Sequence, residues 1–410
     1  MKTAGYVCLF CLVLTLTLIV AGCGGVGSNK PPVVAGPGGP PPTPSPTPGP
    51  SPVPASGTFV YVANNGSDQH VGGSISGFAV DAATGNLMPV PGSPFKAGEG
   101  PSAIVGDPQG HFVFVGEDES APGARGSNCT LTRSALLSEV VDHSSGTLTQ
   151  ASRTGLDGVC VRALAVDPSS MHLYVGMASF SGTGGEIQGF QIGASGALTQ
   201  LPGSPVLMNS VPSGLVVHPS GKFVYAATNS GLVVFNRDPA TGVLALSGDF
   251  NTPKVKLALD PSGTFLAATE LNTNEISQFH VDPNTGAVAA IDARIPSSHP
   301  AGIAADPQGA FFAATEVTDT GTLAGGASIL SLNAGTHELN KVAGSPFASG
   351  RGPIDLAFEP GGKYLYVVNR QENSVSAFVL DRSTGKLAPV SGVRFSVGDF
   401  PDSLAVVKPH

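Results

Sequence analysis

The chain has 410 residues, a formal net charge of −9, 55 glycines and 36 prolines, and only 12% of its residues are charged. This composition favours many short strands joined by tight turns over a helical protein. The acidic balance argues against a nucleic-acid partner, because binding a polyanion requires a basic face. Trp, which recurs in each blade of WD40 propellers, is absent.

Residues 1–22 have the features of a secretory signal peptide. Lys2 precedes an apolar run, Val7 to Val20, that is too short for a comfortable membrane span. The run ends in Val-Ala-Gly-Cys at Cys23, which resembles the lipobox of bacterial lipoproteins. We therefore expect cleavage before Cys23, lipidation of its thiol, and membrane attachment through the lipid alone. The alternative is an ordinary signal peptide with a chance cysteine.

Residues 23–57 are predicted to be the lipidated cysteine and a disordered linker rich in Pro, Gly and Ser. The linker has almost no large apolar side chain, and its prolines favour a semi-rigid polyproline spacer. A docking motif for a proline-binding module is the alternative. Gly24, rather than Asp, follows Cys23, so by resemblance to enterobacterial sorting we expect the cell envelope, on the periplasmic or surface side of the outer membrane.

Residues 58–410 repeat with a period of about 50 residues, which is typical of propeller blades or solenoid coils. An apolar run that ends in a polar residue and Pro occurs seven times, with the polar residue at Asp107, Asp167, His218, Asp260, Asp306, Glu359 and Lys408. A second series of turns contains Gly85, Gly146, Gly196, Gly242, Gly286, Gly335 and Gly385. Gly is expected in these turns because it accepts the positive φ that strand twist requires.

The two series are offset at the ends of the chain. Residues 58–63 read as a second strand without its first, and residues 403–407 as a first strand without its successors. Pairing these two strands would close a ring and remove free sheet edges, whereas a solenoid has no need of the offset. We therefore predict an all-β fold, one seven-bladed β-propeller closed by pairing of the C-terminal strand with the N-terminal blade.

In such a propeller the loops after each second strand and the connections between blades share one side, which we call the loop face. The other turns share the opposite side, which we call the turn face. Variable loops on a rigid scaffold are where binding sites usually lie. The polar residues predicted on the loop face are Asn64, Glu117, Asp118, Arg162, Lys254, Lys256, Glu270, His299, Glu316, Arg351, Arg370 and Asp402. They would suit an anionic ligand, with Arg binding its charge and His or Glu moving a proton; solvated or mutually paired side chains are the alternative.

Two cysteines, Cys129 and Cys160, remain after signal cleavage and lipidation. They fall on the loop face of neighbouring blades, so a disulfide is predicted in an oxidising compartment, with free thiols as the alternative. The sequence has no P-loop, EF-hand, zinc-protease or serine-nucleophile motif. It therefore indicates no cofactor and no metal.

Residues 352–390, GPIDLAFEPGGKYLYVVNRQENSVSAFVLDRSTGKLAPV, resemble the seven-bladed lactonase family of bacterial 6-phosphogluconolactonases and fungal muconate-lactonizing enzymes. The resemblance covers nearly all of residues 58–410 and extends to YVTN-type repeat surface proteins. It implies a carboxylic-ester hydrolase with Arg, His and carboxylates on the loop face. Carried onto this chain, it suggests as catalytic residues Arg351, Arg370, His299, Glu270 and Glu316. The ligand-binding rim would then contain Arg162, Asp118, Lys254 and Asp402.

Two functions are compatible with these patterns. One is hydrolysis of a small anionic or sugar-like lactone by a monomeric, lipid-anchored propeller. The other is non-catalytic binding of an envelope protein or polymer. The enzyme hypothesis requires Arg351 or Arg370 to share one cavity with His299, Glu270 or Glu316.

Overall fold

A computed structural model of the protein describes residues 57–66, 72–119, 133–157, 159–179, 184–250, 253–270, 272–333, 335–390 and 394–410. These residues lie in one compact unit, residues 52–410. They form 32 strands in seven antiparallel sheets, with a single 3-10 turn at Arg370–Glu372 in the described part. The predictions for the signal peptide, Cys23 and most of the linker fall outside the described residues, as does Cys129.

The strands of each blade pair in order from the inner to the outer edge. Blade 1 consists of β32 (Pro401–Val407), β1 (Phe59–Asn64), β2 (Ser74–Val80), β3 (Leu87–Pro89) and β4 (Phe95–Lys96). Blade 2 consists of β5 (Pro101–Gly106), β6 (Phe112–Glu119), β7 (Arg133–Val141) and β8 (Leu148–Asp157). Blade 3 consists of β9 (Val159–Val166), β10 (His172–Ser179), β11 (Gly185–Ile192), β12 (Leu198–Gln200) and β13 (Val206–Met208).

The remaining four blades repeat the same order. Blade 4 consists of β14 (Pro212–Val217), β15 (Phe223–Thr228), β16 (Leu232–Arg237) and β17 (Leu244–Phe250). Blade 5 consists of β18 (Leu257–Leu259), β19 (Phe265–Glu270), β20 (Glu275–Val281) and β21 (Val288–Pro296). Blade 6 consists of β22 (Ile303–Ala305), β23 (Phe311–Asp319), β24 (Ala324–Leu332), β25 (Leu339–Lys341) and β26 (Phe347–Arg351). Blade 7 consists of β27 (Pro353–Phe358), β28 (Tyr364–Asn369), β29 (Ser374–Leu380), β30 (Leu387–Pro389) and β31 (Phe395–Ser396).

The ring closes as predicted. Strand β32 pairs antiparallel with β1, with Val407 opposite Phe59 and Ser403 opposite Ala63. Each innermost strand also contacts the innermost strand of the next blade, and β27 contacts β32 to complete the circle. The seven-bladed, closed all-β fold is therefore confirmed.

The core is divided among the interfaces between blades. Seven large apolar clusters each join two adjacent blades, because the two faces of every sheet are both covered by neighbours. The predicted turn glycines contribute to these interfaces. Gly146 has φ +72°, and a Cβ added to it would lie 2.4 Å from the ring of Phe59 in the preceding blade. In five further turns, a Cβ added to the glycine would likewise meet the first side chain of the second strand in the preceding blade. The glycines of these turns are Gly85, Gly196, Gly242, Gly286 and Gly385.

The predicted role of Gly335 is wrong. In this turn the left-handed residue is His337, with φ +53°, and its N–H donates to the carbonyl of Asn333 as Gly85 N–H does to Asp81. Gly335 stands two positions before the left-handed residue. The sequence therefore predicted the right number of turns, but the wrong residue for the left-handed position in blade 6.

Four buried tyrosines reinforce the interfaces. Each hydroxyl donates to the carbonyl of a turn glycine in the next blade, at distances between 2.7 and 3.1 Å; the tyrosines are Tyr61, Tyr174, Tyr225 and Tyr366. Burial raises the pKa of all four hydroxyls, that of Tyr174 to about 12. These hydroxyls consequently stay protonated and serve as hydrogen-bond donors between blades.

Candidate functional site

On the loop face, the ends of the second strands lie next to the connections between blades. The N–H of Gly98, in the connection from blade 1, donates to the carboxylate of Glu117 in blade 2. The N–H of Asp118 donates to the carbonyl of Gly100 in the same connection, at 3.1 Å. The connection from blade 1 thus crosses the end of the second strand of blade 2, the blade that it enters.

The sixth residue of several second strands is buried between blades. Their exposures are 3% or less, and the residues are Asn64, Glu117, Glu270, Glu316 and Asn369. Side chains alternate along a strand, so this position points sideways toward the preceding blade and away from the channel mouth. Asn64, Glu117, Glu270 and Glu316 were expected to be available to a ligand on the loop face, and this expectation is corrected because their side chains are buried.

Glu270 is held in a cationic cluster between blades 4 and 5. Its Oε1 accepts hydrogen bonds from the ammonium of Lys254, which is 1% exposed, and from Arg294 Nη1 at 2.7 Å. Thr273 Oγ1 donates to Oε2 at 2.9 Å. Burial by itself would raise the pKa of Glu270, but the hydrogen bonds of Lys254 and Ser277 together with the lysine charge outweigh it and lower the pKa. Glu270 is therefore an ionised partner of two cations.

Glu316 has a separate set of partners between blades 5 and 6. Ser297 Oγ donates to its Oε1 at 2.9 Å, and Lys341 Nζ lies 2.6 Å from the same oxygen. Lys341 and Arg294 come from outer strands, β25 and β21. Neither residue was predicted, because only loop residues were expected on this face, whereas long side chains from outer strands also reach the interfaces between blades.

Arg370, Arg351 and His299 occupy more open positions. Arg370 Nη1 forms an ion pair with Asp402 Oδ1 at 2.8 Å, which links blade 7 to the closing strand β32. Arg351 is exposed, and its Nε donates to the carbonyl of Thr322 at 2.9 Å. His299 is exposed with φ +46°, and its N–H donates to Asn274 Oδ1 at 2.9 Å.

The proposed catalytic set is not joined by contacts. Among the hydrogen bonds and ion pairs of the described residues, none connects Arg351, Arg370 or His299 to Glu270 or Glu316. The structure instead brings together Lys254 with Glu270 and Arg370 with Asp402.

A different pair of predicted rim residues does meet, between blades 2 and 3. Asp118 Oδ1 accepts hydrogen bonds from the N–H of Val161, at 2.8 Å, and from Ser134 Oγ, at 3.2 Å. Arg162, the residue after Val161, interacts with Asp118 through its charge. Both side chains are partly exposed. Burial raises the pKa of Asp118 to about 6, although the charge of Arg162 and these hydrogen bonds oppose the rise.

Cys160, two residues before Arg162 in β9, is disulfide-bonded. Its predicted pairing with Cys129 lies outside the described residues and stays a prediction.

Asp355, in blade 7, was not among the predicted rim residues. Its Oδ2 accepts hydrogen bonds from Ser403 Oγ at 2.8 Å and from the N–H of Leu404 at 3.2 Å. Asp355 lies inside an apolar strand run, and no motif marked it as a rim residue.

The described residues contain no group of three or more His, Cys, Asp or Glu side chains placed to hold a metal ion. In the same part of the chain, no helix has the length and apolarity needed to cross a membrane.

Comparisons with known proteins agree with the fold. The family model of the seven-bladed β-propeller lactonases matches residues 206–305 and 297–405. No curated protein matches the chain by sequence.

Solved structures show the same architecture over most of the chain. A candidate 6-phosphogluconolactonase from Bacteroides fragilis is 20% identical, with a TM-score of 0.69, and the match covers 85% of this chain and 98% of the other. A periplasmic gluconolactonase from Pseudomonas aeruginosa is 17% identical, with a TM-score of 0.69, and the match covers 85% of this chain and 99% of the other. A second candidate 6-phosphogluconolactonase, from Bacteroides uniformis, is 19% identical with the same TM-score of 0.69, covering 85% and 99%. At these identities the likeness shows the fold.

Proposed function

We propose that this protein hydrolyses a sugar-type lactone at the Asp118–Arg162 pair on the loop face. The observation that carries the proposal is a partly exposed carboxyl that accepts hydrogen bonds from the N–H of Val161 and from Ser134 Oγ where blades 2 and 3 meet, and whose pKa burial raises to about 6 against the opposing charge of Arg162. Perturbed carboxyls of this kind are typical of general acid–base sites. The match of the lactonase family model and the names of the similar structures support the choice of substrate class.

The chemistry requires one base and one group that stabilises negative charge. In its ionised form Asp118 takes a proton from water, and the resulting hydroxide attacks the lactone carbonyl. Arg162 donates hydrogen bonds to the carbonyl oxygen as it becomes negative. When the ring C–O bond breaks, the proton on Asp118 passes to the departing oxygen. The product is a hydroxy acid whose new carboxyl group releases its proton to solvent and remains next to Arg162 as a carboxylate.

The proposed setting is the cell envelope. Residues 1–22 would direct export, and Cys23 would carry the lipid anchor, with the linker holding the propeller away from the membrane. An exported lactonase has a parallel in the periplasmic gluconolactonase from Pseudomonas aeruginosa. Metabolic labelling with a radioactive fatty acid tests the anchor: labelling of the wild type but not of Cys23→Ser is expected, and labelling of both would contradict it.

The activity is tested with a panel of five- and six-membered sugar lactones in a pH-stat. Asp118→Asn and Arg162→Gln are each expected to lower kcat/KM about 100-fold or more. The matched control is Arg394→Gln, since Arg394 is also an exposed arginine paired with a carboxylate, Glu372, at 2.6 Å. Activity lost in Arg351→Ala or Glu270→Gln but kept in Asp118→Asn would move the site to the set implied by family resemblance.

A non-catalytic binding role is the second candidate. The observation in its favour is that Glu270 and Glu316, the carboxylates suggested by resemblance, are each tied to cations between blades. A protein that hydrolyses no lactone of the panel, yet is retained on immobilised envelope polymer in an Arg162-dependent way, would replace the enzyme proposal with this one.

A further inference from the structure

A cavity of about 480 Å³ lies on the turn face, on the opposite side of the propeller from Asp118 and Arg162. It is formed by turns of blades 2 and 3. Its lining includes two imidazoles and one thioether, those of His111, His143 and Met171. The site proposed for lactone hydrolysis uses none of these residues, so the two can be tested independently.

The two imidazoles lie close together on blade 2. His111 ends the turn before β6, and His143 lies in the turn between β7 and β8. Their ring centroids are 5.2 Å apart with an angle of 31° between the planes. Both side chains are exposed, that of His111 to 45%. Small rotations about their side-chain torsions would therefore bring one nitrogen of each ring onto a common ion.

Met171 supplies a third donor from blade 3. It precedes the second strand of its blade, as His111 does in blade 2, so the two occupy equivalent positions in adjacent blades. Met171 is 45% exposed, which is unusual for a large apolar residue in this protein. A thioether that lines an open cavity beside two imidazoles is better placed for ligation than for core packing.

A buried carboxylate lies on the Nδ1 side of His111. Asp107 Oδ2 lies 3.9 Å from His111 Nδ1, and the Asp107 side chain is fixed by hydrogen bonds from the N–H groups of Phe112, at 2.6 Å, and Gln109, at 3.2 Å. The distance to His111 is longer than a hydrogen bond, so Asp107 acts on this imidazole as a nearby negative charge. Such a charge favours the approach of a cation to this part of the cavity.

We propose that His111, His143 and Met171 form a binding site for a copper ion, in its monovalent state. Imidazole and thioether are soft or borderline ligands that select copper, whereas a structural zinc site needs four ligands and calcium or magnesium needs oxygen ligands. The Asp107 carboxylate also lines the cavity, but it accepts the N–H groups of Phe112 and Gln109, so a metal that accepts few ligands fits best.

The chain contains a matched control, a second pair of exposed histidines. His280 and His337, in blades 5 and 6, have ring centroids 6.0 Å apart. The methionines of the described strands, Met88, Met177 and Met208, lie in blades 1 and 3, so this second pair has no comparable thioether. If histidine pairs alone bound copper, both pairs would behave alike.

The test is an anaerobic titration of the full-length protein with Cu(I) against a chromogenic competitor such as bicinchoninate. The double variant His111→Ala/His143→Ala should bind one equivalent fewer than the wild type, and His280→Ala/His337→Ala should bind as many as the wild type. Met171→Leu should weaken Cu(I) binding about 10-fold or more but leave Ni(II) binding within about twofold. Equal stoichiometry in the wild type and the first double variant, equal losses in both double variants, or no effect of Met171→Leu would each overturn the proposal. Unchanged circular dichroism spectra would show that the variants are folded.

Discussion

Asp118 and Glu139 are two carboxyl groups of blade 2 that share a raised pKa but differ in their exposure and their partners. Burial raises the pKa of both groups, to about 6 for Asp118 and, with help from the charge of Glu117, to about 7 for Glu139. Asp118 is partly exposed and lies beside Arg162, whereas Glu139 is 3% exposed, and its Oε1 has no hydrogen-bond partner among the described residues. The first surroundings suit catalysis, whereas the second keep Glu139 away from solvent and from any ligand.

Asp118→Asn is expected to raise the free energy of unfolding at neutral pH. The folded protein holds a proton on Asp118 up to about pH 6, whereas the unfolded chain releases it near pH 4. The folded state thus binds more protons between these values, so the wild type loses stability as the pH rises through this window. The gain from Asn should be close to zero at pH 4 and reach on the order of 1–3 kcal/mol at pH 7.5. Urea unfolding at the two pH values measures it.

Glu139→Gln serves as the control that separates burial from function. It should also stabilise the protein, over a window that ends near pH 7, but leave lactone hydrolysis within about twofold because Glu139 is remote from ligand in the core. A gain in stability over the wild type that is no larger at pH 7.5 than at pH 4 would argue against a raised pKa of Asp118 and so against the proposed base.

Residue types on the loop face could be predicted from the sequence, but their surroundings could not. The repeat placed Glu270, Glu316 and Lys254 near strand ends, which is where they lie. Whether such a side chain faces the channel or a neighbouring blade depends on strand register, and a shift of one residue reverses it. The partners Arg294 and Lys341 come from other strands of the sheet and have no motif that would link them to these glutamates.

At the scale of elements, the turn between the third and fourth strands does more than reverse the chain. Its glycine receives the first side chain of a second strand from the preceding blade, and in four blades its carbonyl accepts a tyrosine hydroxyl. The turn signal was readable in the sequence because left-handed backbone favours Gly, Asn and Asp. It failed at Gly335 because His337 takes the left-handed position in that blade.

Gly146→Ala should destabilise the protein by about 1–3 kcal/mol, since the substitution strains a left-handed backbone and drives a methyl group into Phe59. The matched control is Gly248→Ala in outer strand β17, where an added Cβ meets nothing within 4 Å and φ is not left-handed. That variant should be neutral or slightly more stable. Chemical denaturation of both variants measures the difference, and equal stabilities would show that this turn contributes nothing to the interface between blades 1 and 2.

For the whole molecule, the ring makes the two ends of the chain depend on each other. Strand β32 supplies Leu404 to the interface of blades 1 and 7, and Ala405 and Val407 to that of blades 1 and 2. Its backbone also covers one edge of β1 along six paired residues. The sequence predicted this closure because the chain begins with a second strand that lacks a first strand and ends with a first strand that lacks a second. Pairing the two buries both exposed strand edges, which is strongly favoured.

Deleting residues 401–410 should therefore abolish cooperative folding of the full propeller. The deletion removes β32, leaves the edge of β1 unpaired and opens apolar clusters on both sides of blade 1. We expect a lower unfolding midpoint, a broader transition and aggregation detected by light scattering, since an exposed edge strand is a template for pairing with other chains. Deleting only residues 409–410, which lie beyond β32, should keep a single sharp transition. A protein lacking residues 401–410 that unfolds like the wild type would mean that the closing strand does not hold the ring together.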